Sequence, residues 1–156
     1  MGVNWDHWEG SDHYYKGAWM LHTLRHAIDN DTLWWQLFKD FYQQHALSLI
    51  TTRDVVQFFN ERTGRTWDRF FSQYLEYTSI PVLEYRLTEK AGNLSVSYRW
   101  NADVEGFDMP VKIGKEGNMI TVQPRQGEWQ EVMLFGVKSD AFRVAEDLFL
   151  IKHRQL

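Results

Sequence analysis

No cysteine occurs in the 156 residues. Disulfides and thiolate metal sites are therefore excluded, while the compartment stays open, because many secreted proteins also lack cysteine. No apolar run approaches the roughly twenty residues that a bilayer-spanning helix needs. The N-terminus is polar, so neither a membrane segment nor a secretory leader is expected within the chain, and any targeting segment of a longer polypeptide would lie upstream. An excess of positive charge is missing as well: the formal net charge is −4, which gives no reason to expect a nucleic-acid partner, whose phosphates demand clustered lysine and arginine. The chain also lacks an internal repeat, a low-complexity tract, a G-x-S-x-G nucleophile elbow, a glycine-rich phosphate loop and an H-E-x-x-H zinc motif.

Aromatic residues are plentiful. They make up 16% of the chain, eight of them tryptophan, which argues for packed material rather than disorder. The length allows one ordinary domain or two small ones. Residues 1–11 show no sustained period and read as an irregular lead-in whose Trp5 and Trp8 pack on something.

Four helices follow by pattern. The first spans residues 13–29, with Asp12 as a candidate cap and Gly17, Met20, Leu21, Leu24 and Ile28 as an apolar stripe. The second covers residues 32–45, capped by Asp31, with Trp34, Leu37, Phe38 and Phe41 buried. The third opens on the capping pair Thr51 and Asp54 and stops at Gly64. The fourth carries Trp67, Phe70, Phe71, Tyr74 and Leu75 at helical spacing after Thr66. Short connections suggest antiparallel neighbours in a bundle.

At Ile80 and Pro81 the apolar period changes from 3.6 to 2, and the domain boundary is placed there. Leu83, Tyr85 and Leu87 alternate with polar residues, as do Leu94, Val96, Tyr98 and Trp100, and Ala-Gly-Asn between them supports a hairpin. Further strands are expected at 109–113, 119–122, 131–135, 142–144 and 148–152. About seven short strands separated by turns describe a small β-sandwich. The fold class is thus α+β: a helical bundle segment over residues 1–80, then an antiparallel β-sandwich over 81–156.

Chemistry is sparse. Tyr14 falls in the first turn of the first helix, where a hydroxyl can look into a cleft and hydrogen-bond a developing oxyanion. A tyrosine there also commonly packs with its hydroxyl in water, and spacing alone does not choose. His22 and His26 share a helix face at the i, i+4 spacing of a zinc pair. Yet Thr23 stands where a catalytic glutamate would, and no third ligand is evident, so the pair reads as part of a face shared with Tyr15 and Trp19. His7, His13, His45 and His153 are scattered and read as surface or cap residues. Glu146 with Asp147, and Asp103 with Glu105, could bind calcium but read as solvated turns. Tyr98, Trp100 and Trp129 could build a carbohydrate surface, although alternation puts Tyr98 and Trp100 on one face, which favours the core.

Y-x-K-G-A at Tyr14 to Ala18, followed by M-L and L-R, resembles the helix after the zinc site in the aminopeptidase N family of zinc metallopeptidases. The likeness continues through Leu37, Phe38 and Phe41, residues 51–59, W-D-R-F-F-S-Q-Y-L at 67–75 and I-P-V-L at 80–83, and covers at least residues 12–85. The resemblance implies that the chain is the C-terminal part of a gluzincin catalytic domain followed by its β-sandwich. It assigns Tyr14, three residues before Gly17, the role of stabilising the tetrahedral intermediate. It also implies that the zinc ligands and the general-base glutamate lie upstream of residue 1. No cofactor is then expected in this chain, zinc is expected in the full-length parent, and the partners are the upstream zinc-bearing part of the same polypeptide and a peptide substrate. On that reading the isolated chain is inactive. The alternative from a different class is a non-catalytic protein-interaction module.

Overall fold

The computed structural model describes residues 12–156, with side chains from Tyr14 onward. Trp5, His7 and Trp8 lie outside the described residues, as does the side chain of His13. Four helices come first: α1 (Asp12–Ile28), α2 (Asp31–His45), α3 (Thr52–Thr63) and α4 (Asp68–Glu76). The cap of α3 follows its sequence signature. Thr51 accepts from the Asp54 N–H, the Asp54 side chain answers the Thr51 N–H at 2.7 Å, and Gly64 closes the helix at φ 66°. The other ends differ from expectation. Asp12 is already the first helical residue of α1. Asn30, not Asp31, caps α2 by accepting from Leu33 N–H at 3.0 Å, because Arg25 draws the Asp31 carboxylate into a two-pronged ion pair. Thr66 caps nothing: α4 begins after Trp67, which has no side-chain cap, and the Trp67 N–H donates to Asn60 Oδ1 at 2.6 Å instead.

Seven strands follow: β1 (Val82–Lys90), β2 (Asn93–Asn101), β3 (Val111–Lys115), β4 (Asn118–Val122), β5 (Gln130–Leu134), β6 (Arg143–Val144) and β7 (Lys152–Gln155). They form one sheet in the order β5-β2-β1-β7 and a second in the order β4-β3-β6. All pairings are antiparallel except β1 with β7. Ala91 and Gly92 join β1 to β2 with φ of 49° and 78°. That doubly left-handed connection matches strand twist and fixes the register, Leu83 opposite Trp100 and Glu84 opposite Arg99. The strand expected at 148–152 starts only at Lys152, because Leu150 is held by Thr23 and Tyr74 of the helices and its neighbours make local turns. The fold is therefore α+β, helices first and two antiparallel-rich sheets after them.

A single cluster of buried apolar side chains runs from the helices into both sheets. It includes Leu24, Leu37, Phe59, Phe70, Trp100 and Phe149. Trp100 is fully buried, and its indole N–H donates to Met109 O at 2.8 Å. Polar groups stitch the same seam. Thr23 Oγ1 donates to Trp19 O and accepts from Leu150 N–H at 2.7 Å. The Tyr74 hydroxyl donates to Leu150 O at 2.8 Å, and burial pushes its pKa upward. Fully buried Gln73 accepts from the N–H groups of Asp103 and Val104 and donates to Ser79 O and to the Asp103 carboxylate.

The other face of the first sheet hides a carboxylate. Glu84 is only 2% exposed, with Arg99 and Asn101 donating to it at 2.8 and 3.4 Å and Arg154 completing the set. Burial alone would raise its pKa. The hydrogen bonds from Arg154 and Arg99 outweigh that and hold it below the ordinary 4.5. A depressed folded-state pKa contributes stability that is present above 4.5 and lost as pH falls through the lower folded value. Denaturant midpoints measured between about pH 6 and about pH 3 are expected to fall less steeply in Glu84→Gln than in the parent. Parallel curves would show that Glu84 carries none of the acid sensitivity.

Candidate functional site

The residues singled out by the sequence meet in the first two turns of α1. Tyr14 and Tyr15 are each 69% exposed. Lys16 points the other way, and its ammonium donates to Tyr77 O at 2.6 Å. Tyr77 is the residue that terminates α4, where outward carbonyls carry partial negative charge, so a lysine there is well placed. The tie anchors the turn that carries Tyr14 to a helix end 61 residues away. Gly17, next in the motif, has nothing within 4 Å of where a Cβ would stand. Its role here is therefore not close packing against the described residues.

Further along α1 the rings of Trp19, His22 and His26 meet edge to face, with centroids 5.4 and 4.5 Å apart. Burial first, and then the neighbouring His22 and Arg25, lower the pKa of His26, so it is neutral at pH 7. A ring nitrogen of His22 lies 3.3 Å from Asp147 O. In the tautomer that makes this bond, Nε2 carries the hydrogen and offers no lone pair to a metal. Among the described residues no group of three or more His, Cys, Asp or Glu is placed to hold a metal ion. Among the described residues, His22 and His26 therefore meet no third side chain that would complete a metal site.

The remaining candidates disperse. His45 ends α2 half-buried against Phe41, with its Nε2 buried and unbonded, whereas His153 pairs with Glu146 at 3.1 Å. Asp103 is occupied by Ser79 and Gln73. Tyr98 and Trp100 are buried in the core, and the ring of Trp129 is covered by the guanidiniums of Arg86 and Arg99 at 4.4 and 4.6 Å. A sugar platform is not formed by these three.

Two stripe residues are displaced from their expected burial. Phe38 is 40% exposed and Leu75 50% exposed. They belong to a wider feature of the helical part, where Tyr15, Trp19, Trp35, Phe38 and Tyr42 are exposed on α1 and α2, and Leu47 and Leu49 stand fully out in the following loop. On α2, Trp35, Phe38 and Tyr42 fall three and four residues apart and so share one helix face, and an exposed apolar face marks a place where something else packs. Sequence reasoning missed the Lys16 tie and the burial of Glu84. The hairpin turn, which places Arg99 opposite Glu84, was the available signal for the second.

No protein-family model matches the chain, and no curated protein matches it in sequence. Among solved structures it is similar in fold to aminopeptidase A of Legionella pneumophila, crystallised in complex with aspartic acid. The TM-score is 0.64 at 14% sequence identity, and the match covers 90% of this chain but 17% of that one. In fold, then, the chain is a helical unit with a two-sheet β-part of the kind found within an aminopeptidase. It spans about a sixth of the protein that it resembles.

Proposed function

We propose that this chain is the C-terminal end of the catalytic domain of an aminopeptidase N-like zinc peptidase, together with the β-sandwich that follows it, and that its chemical contribution is Tyr14. One observation carries the reading: the Y-x-K-G-A motif occupies the opening of α1 with Tyr14 turned to solvent, in a chain whose fold recurs within an aminopeptidase. When bound in such a site, zinc polarises the scissile carbonyl and lowers the pKa of its water. The zinc ligands and the general base belong to the upstream part of the polypeptide. Tyr14 donates its hydroxyl hydrogen to the substrate oxygen as charge develops there, and Lys16 holds the turn that aims it. The exposed aromatic side chains of α1 and α2 support an upstream body that packs on them.

The substrate class is a peptide with a free N-terminus, and the isolated chain is inactive. The test pairs this chain with a longer polypeptide that includes the upstream reading frame, both assayed for release of the N-terminal residue from an aminoacyl anilide. Turnover is expected only from the longer protein, with H-E-x-x-H in the added segment. An upstream frame without that motif, or turnover by the isolated chain, overturns the proposal. The first of those outcomes turns the exposed helical face into evidence for a non-catalytic interaction module.

A further inference from the structure

We infer that the outer face of the β5-β2-β1-β7 sheet is a docking surface for an acidic, extended polypeptide segment. This face is remote in sequence from Tyr14 and owes nothing to a peptidase role. Side chains alternate along a strand, so the face carrying Glu84 also carries Arg86 on β1, Arg99 on β2, and Lys152 and Arg154 on β7. With Lys90 and Glu131, which pair with one another, five cations share this face with two carboxylates, and the Glu84 carboxylate is covered and consumed. Both its oxygens accept from Arg99, Arg154 and Asn101. Among the described residues neither Arg86 nor Lys152 makes an ion pair, and both are exposed. At the far end of the sheet Lys90 and Glu131 cancel one another at 3.3 Å.

The surplus is positive on a chain whose formal net charge is −4, so this face is opposite in sign to the molecule as a whole. It is also built rather than merely charged. Glu84 fixes Arg99 and Arg154 from below, and the Trp129 ring lies against the guanidiniums of Arg86 and Arg99. Guanidiniums held in this way have little side-chain freedom left to lose, and their unused N–H groups match carboxylate oxygens two at a time. The geometry favours a peptide. Lys152 and Arg154 recur at about the 6.6 Å period of alternate side chains on an extended strand, which an acidic peptide laid along the sheet would share. Single-stranded nucleic acid would need an open aromatic platform for its bases, and the Trp129 ring is already taken.

The test is fluorescence anisotropy of a labelled octaglutamate peptide titrated with the whole chain at low and at near-physiological salt. Arg86→Glu and Lys152→Glu are compared with Lys39→Glu, which makes the same change of charge on exposed α2. Salt-sensitive binding is expected, weakened at least about tenfold by either sheet variant and less than about twofold by the helix variant. Arg86→Gln and Lys152→Gln, which add no repulsion, should show smaller losses in the same order, and thermal melts confirm folding. Absence of binding overturns the inference, as does equal weakening by all three reversals. So does tighter binding of a 12-nucleotide DNA strand at matched salt, which would assign the face to phosphates.

Discussion

On the proposed function, Tyr14→Phe in a zinc-loaded longer polypeptide is expected to lower kcat by about a hundredfold or more, the usual scale for one lost oxyanion donor. Tyr15→Phe stays within about twofold, because it falls at the variable position of the motif. The two residues are equally exposed neighbours on one turn, so the pair forms its own control for surface and folding effects. Phenylalanine keeps the ring and nearly the same helix propensity, which leaves the turn and its Lys16 tie intact. A donor that acts only as charge develops leaves substrate binding alone, so kcat falls more than KM rises. Steady-state kinetics on an aminoacyl substrate decide it, with zinc content and circular dichroism checked for both variants. A loss confined to Tyr15→Phe would shift the assignment by one residue. No loss in either would remove the catalytic role from this chain.

The largest structural effect outside the aromatic core is expected from Gln73→Leu. The side chain volume changes little, yet two backbone N–H groups at Asp103 and Val104 lose their acceptor, and Ser79 O and the Asp103 carboxylate lose a donor. Gln73 itself is fully buried, and the amides that it serves lie at a partly buried seam where water replaces it incompletely. Each unsatisfied buried group costs about 1–3 kcal/mol, which puts the loss at roughly 2–5 kcal/mol. For a chain of this size that lowers Tm by roughly 5–15 °C. Differential scanning calorimetry reads it directly. A shift under about 2 °C would mean that the network tying α4 to the β-part contributes little.

Legibility in the sequence followed locality. The third helix was readable to the residue at its start because Thr51, Asp54 and Gly64 act within one turn of themselves. The β1–β2 hairpin was equally readable from its Ala-Gly-Asn turn, while its register follows from the two left-handed residues Ala91 and Gly92. Misreadings came where a distant partner decides. Leu148 to Ile151 have strand composition, but Thr23 and Tyr74 hold Leu150 against the helices, so β7 forms only beyond them. Asp31 looked like a cap until Arg25 claimed it. Glu84 sat at a polar position of an alternating strand, and its burial is tolerable because Arg99 opposite and Arg154, 70 residues later, both pair with it. Apolar spacing identified the faces of α2 and α4 but could not say whether the described chain covers them, hence exposed Phe38 and Leu75. Tyr14 was legible only through the motif around it, because a hydroxyl at a helix start has no pattern of its own.

The closure of the first helix on the last residues sets an order of events for the nascent chain. The contact between Thr23 and Leu150 spans 127 positions, and β1 gains its parallel neighbour only from residues 152–155. At the ordinary pace of synthesis, about 5–20 residues per second, α1 waits roughly 6–25 s for the segment that covers its inner side. Pairings of such sequence separation also place the chain among slow folders, because loop closure must precede the contacts that reward it. Until then the side of α1 that carries Leu24 and Ala27, buried in the finished fold, lacks part of its covering. A holdase that meets the ribosome early would find an apolar grip on α1 that the finished chain withdraws as Phe149 joins the core beside it.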